Sequence, residues 1–134
     1  MMKRIYEAIL SRSALVTKGK VPDEKITSAQ SDLGVLFSEE YIEYISKFGV
    51  ASFEGHELTG ISSIKRLDVV SVTKSNRQTL NNAVAVNELY VIEEANIDGI
   101  VIWQDSNGFV YKTFPGCEKP IQINNSFAEY IESM

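Results

Sequence analysis

His56 is the one histidine of the chain, and Glu54 and Glu57 flank it. A carboxylate beside an imidazole is the arrangement that orients a general base. If residues 51–60 run as one strand, side chains alternate between faces and Glu54 shares a face with His56. A Ser-His-Asp triad would have to use this residue, and a multi-histidine metal site is excluded. No nucleophile accompanies it, because Ser52 and Ser62 read as ordinary strand-flanking serines. The expectation is an exposed or hydrogen-bonded strand histidine, and a hydrolase using His56 is the weakest functional reading of the chain.

Other candidate chemistry is equally thin. Cys117, the single cysteine, sits between Gly116 and Glu118 in a turn with no base near it in sequence, so it reads as an unreactive turn thiol. It cannot form an intramolecular disulfide, which suits a reducing cytoplasm. Asp98, Asp105 and Asn107 flank a turn and carry oxygen ligands, but the calcium-loop spacing of alternating acids, central Gly and terminal Glu is absent. The eight glycines are scattered as turn and helix-stop residues, with no phosphate-cradling loop. No catalytic residue, cofactor or metal is expected, and the chain reads as a non-enzyme.

Charge is the more informative property. Residues 1–20 hold five Lys/Arg and one Glu, while the rest hold eight Lys/Arg and seventeen Asp/Glu, so the net −5 divides into +4 and −9. From residue 78 to 111 there is no basic residue, yet Glu88, Glu93, Glu94, Asp98 and Asp105 fall there. Such a domain repels phosphate backbones, which argues against direct nucleic-acid binding. It attracts a basic protein and speeds encounter with it. The carboxylates expected to meet a partner are Glu54, Glu57, Glu93, Glu94, Asp98 and Asp105. The competing reading is that they only keep the domain soluble.

At 134 residues with 44% hydrophobic and 23% charged content, the chain is one domain, 1–134, with a real core. No apolar run approaches the ~20 residues of a membrane helix, and the charged N-terminus lacks the apolar stretch of a secretory signal. A cytoplasmic location follows as the expectation.

Helical spacing predicts a first helix over 2–12, then a second that Pro22 starts and Gly34 stops, with Ile26, Ala29 and Leu33 inward. Ser38 is placed to cap a third helix, with Phe37 and Ile42 spaced as a hydrophobic staple. Its Tyr41, Tyr44, Ile45 and Phe48 point to the core, and Gly49 closes it. Glu39, Glu40 and Glu43 then face water, with Glu43 four residues before Lys47. Ser63 is placed to cap a short helical turn running to Val72, although Val69-Val70-Ser71-Val72 equally suits a strand. Leu89–Ile92, Gly99–Trp103 and Phe109–Phe114 read as strands, the last two joined by the turn Asp105-Ser106-Asn107-Gly108. Pro120–Ile123 reads as an edge strand. Ser126 and Glu129 form a capping box for a last helix that turns Phe127, Tyr130, Ile131 and Met134 inward. Trp103 reads as core rather than as an interface residue. The order of elements argues α+β: one mainly antiparallel sheet of five to six strands, packed by N-terminal helices and a C-terminal helix.

Leu33-Gly34-Val35, Ser38-Glu39-Glu40-Tyr41, Phe48-Gly49 and the passage from Phe53 to Gly60 come in an order that resembles the SUKH superfamily. The likeness continues to the final Ser126–Ile131 segment and covers residues 20–134. That superfamily includes fungal cell-wall-assembly regulators and the immunity proteins of bacterial polymorphic toxins. The resemblance implies an immunity protein that binds and neutralises a cognate toxin domain, commonly a nuclease. The alternative it implies is a regulatory scaffold or ligand-binding module of the same fold. The short chain favours the bacterial branch.

Overall fold

The computed structural model describes residues 3–81 and 83–134. Its helices are α1 (Arg4–Leu10), α2 (Asp23–Leu33), α3 (Glu39–Phe48), α4 (Val69–Leu80) and α5 (Phe127–Glu132). Its strands are β1 (Val16–Thr17), β2 (Ala51–Phe53), β3 (His56–Leu58), β4 (Tyr90–Glu94), β5 (Val101–Gln104), β6 (Val110–Thr113) and β7 (Ile121–Asn124). All seven strands form one antiparallel meander in chain order. The α+β class holds, and the sheet is slightly larger than expected because Val16–Thr17 adds an edge strand and residues 51–58 form two strands instead of one. Glu54 and Gly55 turn between those two strands with positive φ, the backbone of a tight hairpin.

Local chemistry explains the helix ends. Gly34 stops α2 in the left-handed region. Ser38 Oγ accepts from the Tyr41 N–H at 3.0 Å and starts α3. Tyr41, Tyr44, Ile45 and Phe48 are all buried beneath α3, as their spacing predicts. The first helix is shorter than 2–12, and Met2 lies outside the described residues. Residues 63–80 depart most. Ser62, not Ser63, accepts the Ile64 N–H. Asp68 then caps α4 by accepting from the Ser71 N–H, so Val69–Val72 is helical and the helix runs on to Leu80.

One face of the sheet packs Ala51, Phe53, Leu58, Tyr90, Ile92, Ile102 and Val110 against α1, α2, α3 and α5. The other packs Val91 and Trp103 against Val72 of α4 and Val84, Val86 and Leu89. Trp103 is fully buried there, its indole N–H donating to Thr113 Oγ1 at 2.9 Å. Two glycines serve close packing: a Cβ on Gly60 would stand 1.7 Å from the Gly49 carbonyl oxygen, and one on Gly49 2.8 Å from that of Gly19.

A register shift between Val91 and Glu93 sets both Ile92 and Glu93 against Ile102. Such a bulge leaves strand groups without ladder partners. The Val91 N–H donates to Thr73 Oγ1, and the Val91 carbonyl accepts from Thr59 Oγ1. The bulge also decides where Glu93 points.

Candidate functional site

Because Glu93 follows the bulge, its side chain falls on the same face as Ile102 and Leu58, under α5. It is 2% exposed. His56 Nδ1 lies 2.8 Å from Glu93 Oε2, and the Tyr130 hydroxyl donates to Oε1 at 2.5 Å. One buried carboxylate thus joins β3, β4 and α5. Burial and then the neighbouring Glu93 charge push the Tyr130 phenol well above its ordinary pKa. The His56 side chain is 37% exposed and packs at a tilt beside the Phe53 ring, whose centroid lies 5.3 Å from the Arg12 guanidinium carbon.

The carboxylate that orients His56 is therefore Glu93, not Glu54, which stands in the β2–β3 turn rather than on a shared strand face. Glu54 instead accepts from Arg12 Nε at 3.0 Å and from the Ser13 N–H. A triad built on this imidazole would need a nucleophile beside the ring. Ser52 alternates with Phe53 and lies on the opposite face from His56, and Ser62 Oγ is held by the Ile64 N–H. The arrangement fixes a ring and joins elements. Among the described residues, no group of three or more His, Cys, Asp or Glu is placed to hold a metal.

The remaining expected contact residues divide. Leu58 pairs with Glu93, and extending that antiparallel register by one residue sets Glu57 opposite Glu94 on the outer face. Glu57 accepts from Arg66 at 3.0 and 3.2 Å, and Glu94 accepts from Asn76 Nδ2 at 3.0 Å. Asp98 is exposed in the β4–β5 loop that follows. Asp105 stands at the opposite end of β5. There Oδ1 accepts from the Asn107 and Phe109 N–H groups and Oδ2 from the Tyr111 hydroxyl, so it shapes its own turn. Burial, followed by Asp105, pushes the Tyr111 phenol up to about 12. In that turn Gly108, and not Asn107, takes the positive φ. The structure sets Glu57 opposite Glu94, with Asp98 in the loop that follows β4, leaves Glu54 in the β2–β3 turn, and places Glu93 under α5 and Asp105 at the other end of β5.

Sequence reasoning read Glu40 and Glu43 as solvated. Glu40 in fact accepts from the Phe127 and Ala128 N–H groups, at 2.6 and 2.8 Å, and caps α5 across the fold. It also accepts from Gln104 Nε2, a fully buried amide that bonds Ser38, Tyr90 and the Gly108 carbonyl. Glu43 pairs with Lys3 at 2.7 Å, not with Lys47, whose ammonium sits 4.5 Å over the Tyr6 ring. Lys3–Glu43, Arg4–Glu132 and Arg12–Glu54 show where the basic N-terminal charge goes: it neutralises carboxylates of the acidic body. With Glu39, these α3 acids line a polar cleft of about 510 Å³ with Asn107 and Ser126.

No helix among the described residues is long and apolar enough to cross a membrane. No curated protein matches the chain. The SUKH_6 family model, described as SMI1-KNR4 cell-wall, matches residues 23–131, from the start of α2 into α5. With that span matched, the chain belongs to the SUKH superfamily.

Proposed function

We propose that this protein is an immunity protein: in the cytoplasm it binds a cognate toxin domain, a basic nuclease, and neutralises it without chemistry of its own. Family membership supports a protein-binding role, and the observation that carries the reading is Glu57 opposite Glu94 with Asp98 in the next loop. Like charges set across from each other destabilise a sheet pair. Arg66 offsets one of them, and a basic partner surface offsets the rest while steering association.

In this reading Glu57, Glu94 and Asp98 touch the partner, with Glu54 at the margin. Glu93 and Asp105 act by holding the surface, the first through His56 and the second through its turn. Co-expression with candidate basic nuclease toxin domains tests the reading. The expected result is restored growth and a stable complex on size exclusion. Growth arrest that persists, with no complex formed, would overturn it.

A further inference from the structure

On the outer face of the sheet, α4 covers Val91 of β4 and Trp103 of β5. Beyond β3 that face is open. A groove of about 330 Å³ lies there, between edge strand β1 and residues 62–67. Val16 pairs with Ser52, so both side chains face the groove, and the small serine leaves its floor low. Val50, Ile64 and Leu67 form its walls. Val16 is 65% exposed and Ile64 48% exposed, two large apolar side chains held in water at one groove.

The main chain at this edge is also open to pairing. β1 has a strand neighbour on one side only. Bonded and non-bonded residues alternate in an antiparallel pair, so one of Val16 and Thr17 turns its N–H and C=O to solvent. The surrounding charge is positive. Lys18 lines the groove with its ammonium on the Ile61 carbonyl rather than on a carboxylate. Lys65, next to Ile64, is exposed and has no carboxylate partner among the described residues. No Asp or Glu lines the groove.

We propose that this groove docks an extended segment of a partner protein, apolar at alternate positions and acidic at its flanks, added to the sheet as a strand beside β1. The apolar side chains fill the space over Ser52, the open main chain supplies hydrogen bonds, and the lysines select acidic flanks. A second copy of this chain is a poor occupant. Residues 12–20 carry Arg12, Lys18 and Lys20 and no acid, so edge-to-edge pairing brings like charges together. The two-residue length of β1 guards against unselective pairing, which leaves recognition to the groove. This groove adjoins the acidic end of the sheet, since Ser52 of its floor pairs with Glu57, but Arg66 holds that carboxylate and the lysines give the groove the opposite charge, so the proposal does not depend on the toxin reading.

The test uses the full chain, isotope-labelled for amide NMR. Two blocked peptides share a Val-Thr-Val-Thr-Val centre, one flanked by aspartates and the other by lysines. The aspartate peptide should move the amides of Val16–Lys18 and Ile64–Leu67 and bind at least about tenfold tighter than the lysine peptide. Ile64→Asp and Ser52→Phe should each abolish binding without lowering the thermal midpoint. Lys65→Glu should weaken the aspartate peptide and favour the lysine one. Equal affinity for the two peptides, no shifts at these amides up to the peptides' solubility, or sedimentation of the free protein as a dimer that Ile64→Asp dissociates would overturn the proposal.

Discussion

His56 Nδ1 stands 2.8 Å from Glu93 Oε2, so a half-exposed imidazole is held by a carboxylate sealed beneath α5. Removing the ring leaves that carboxylate buried with Tyr130 as its remaining side-chain partner. A buried polar group stripped of a partner costs about 1–3 kcal/mol, more when charged. His56→Ala should therefore cost at least that in urea unfolding. His56→Asn, whose side-chain amide reaches the Nδ1 position, should recover much of it. Equal loss in both variants would mean that ring packing on Phe53, and not the bond to Glu93, holds the hairpin.

Glu40 joins α3 to α5 by accepting from the N–H groups of Phe127 and Ala128. Capping substitutions cost about 0.5–2 kcal/mol, and the buried Gln104 amide loses a partner as well. Glu40→Ala should cost about 2–3 kcal/mol on that basis. It should also speed hydrogen exchange selectively at the amides of α5. Unchanged exchange there would show that Phe127 and Ile131 packing alone docks the helix.

Gly60 lies against the backbone of Gly49, with the Ile61 N–H donating to the Gly49 carbonyl at 3.1 Å. No rotamer can relieve a Cβ that meets backbone. Gly60→Ala should displace residues 49–50 or 60–61 and destabilise by about 1–3 kcal/mol, the range for a strained, overpacked site. A thermal midpoint equal to wild type would contradict this.

Tyr41, Tyr44 and Tyr90 have phenol pKa values raised above the ordinary value, chiefly by burial, and Tyr130 by burial and then Glu93. In the unfolded chain each ionises near about pH 10. A raised folded-state pKa means that the stabilisation is fully present below that value and is lost as pH rises through the folded-state value. Stability should fall steeply above about pH 10, with tyrosinate absorbance appearing together with loss of structure. Tyr130→Phe should flatten that slope by one proton's worth. Tyrosinate forming gradually in an intact fold would contradict the buried geometry.

The elements readable in the sequence were those with local signals. Ser38 and Ser126 accept first-turn amides, Gly34 takes the left-handed stop, and the Asp105–Gly108 turn joins β5 to β6. β1 carried no readable pattern because two residues cannot show a period. Residues 69–72 suit a strand as well as a helix because valine is β-branched, and Asp68, by capping the Ser71 N–H, decides for the helix. The site was harder. Glu93 and Glu94 are adjacent in sequence yet point to opposite faces, and the bulge that assigns Glu93 to the α5 side has no signature in sequence alone. His56 meets Glu93 across 37 positions, so the nearer Glu54 and Glu57 drew the expectation. Lys3, Arg4 and Arg12 are readable as a basic segment, but their carboxylate partners are set by the fold: Glu43 on α3, Glu132 on α5 and Glu54 in the β2–β3 turn.

The acidic end of the sheet is proposed to meet a basic protein. The most direct test of that contact is the affinity for a basic toxin domain that co-expression identifies as cognate, across a salt series, for wild type and for Glu57→Lys/Glu94→Lys/Asp98→Lys. Glu93 is left intact, since reversing a buried charge would break the fold rather than the contact. Wild-type affinity should fall as salt rises, mainly through the association rate, and the triple variant should bind weakly at every salt concentration while melting like wild type. Affinity that ignores both salt and the three reversals would overturn the acidic contact and place it elsewhere on the molecule.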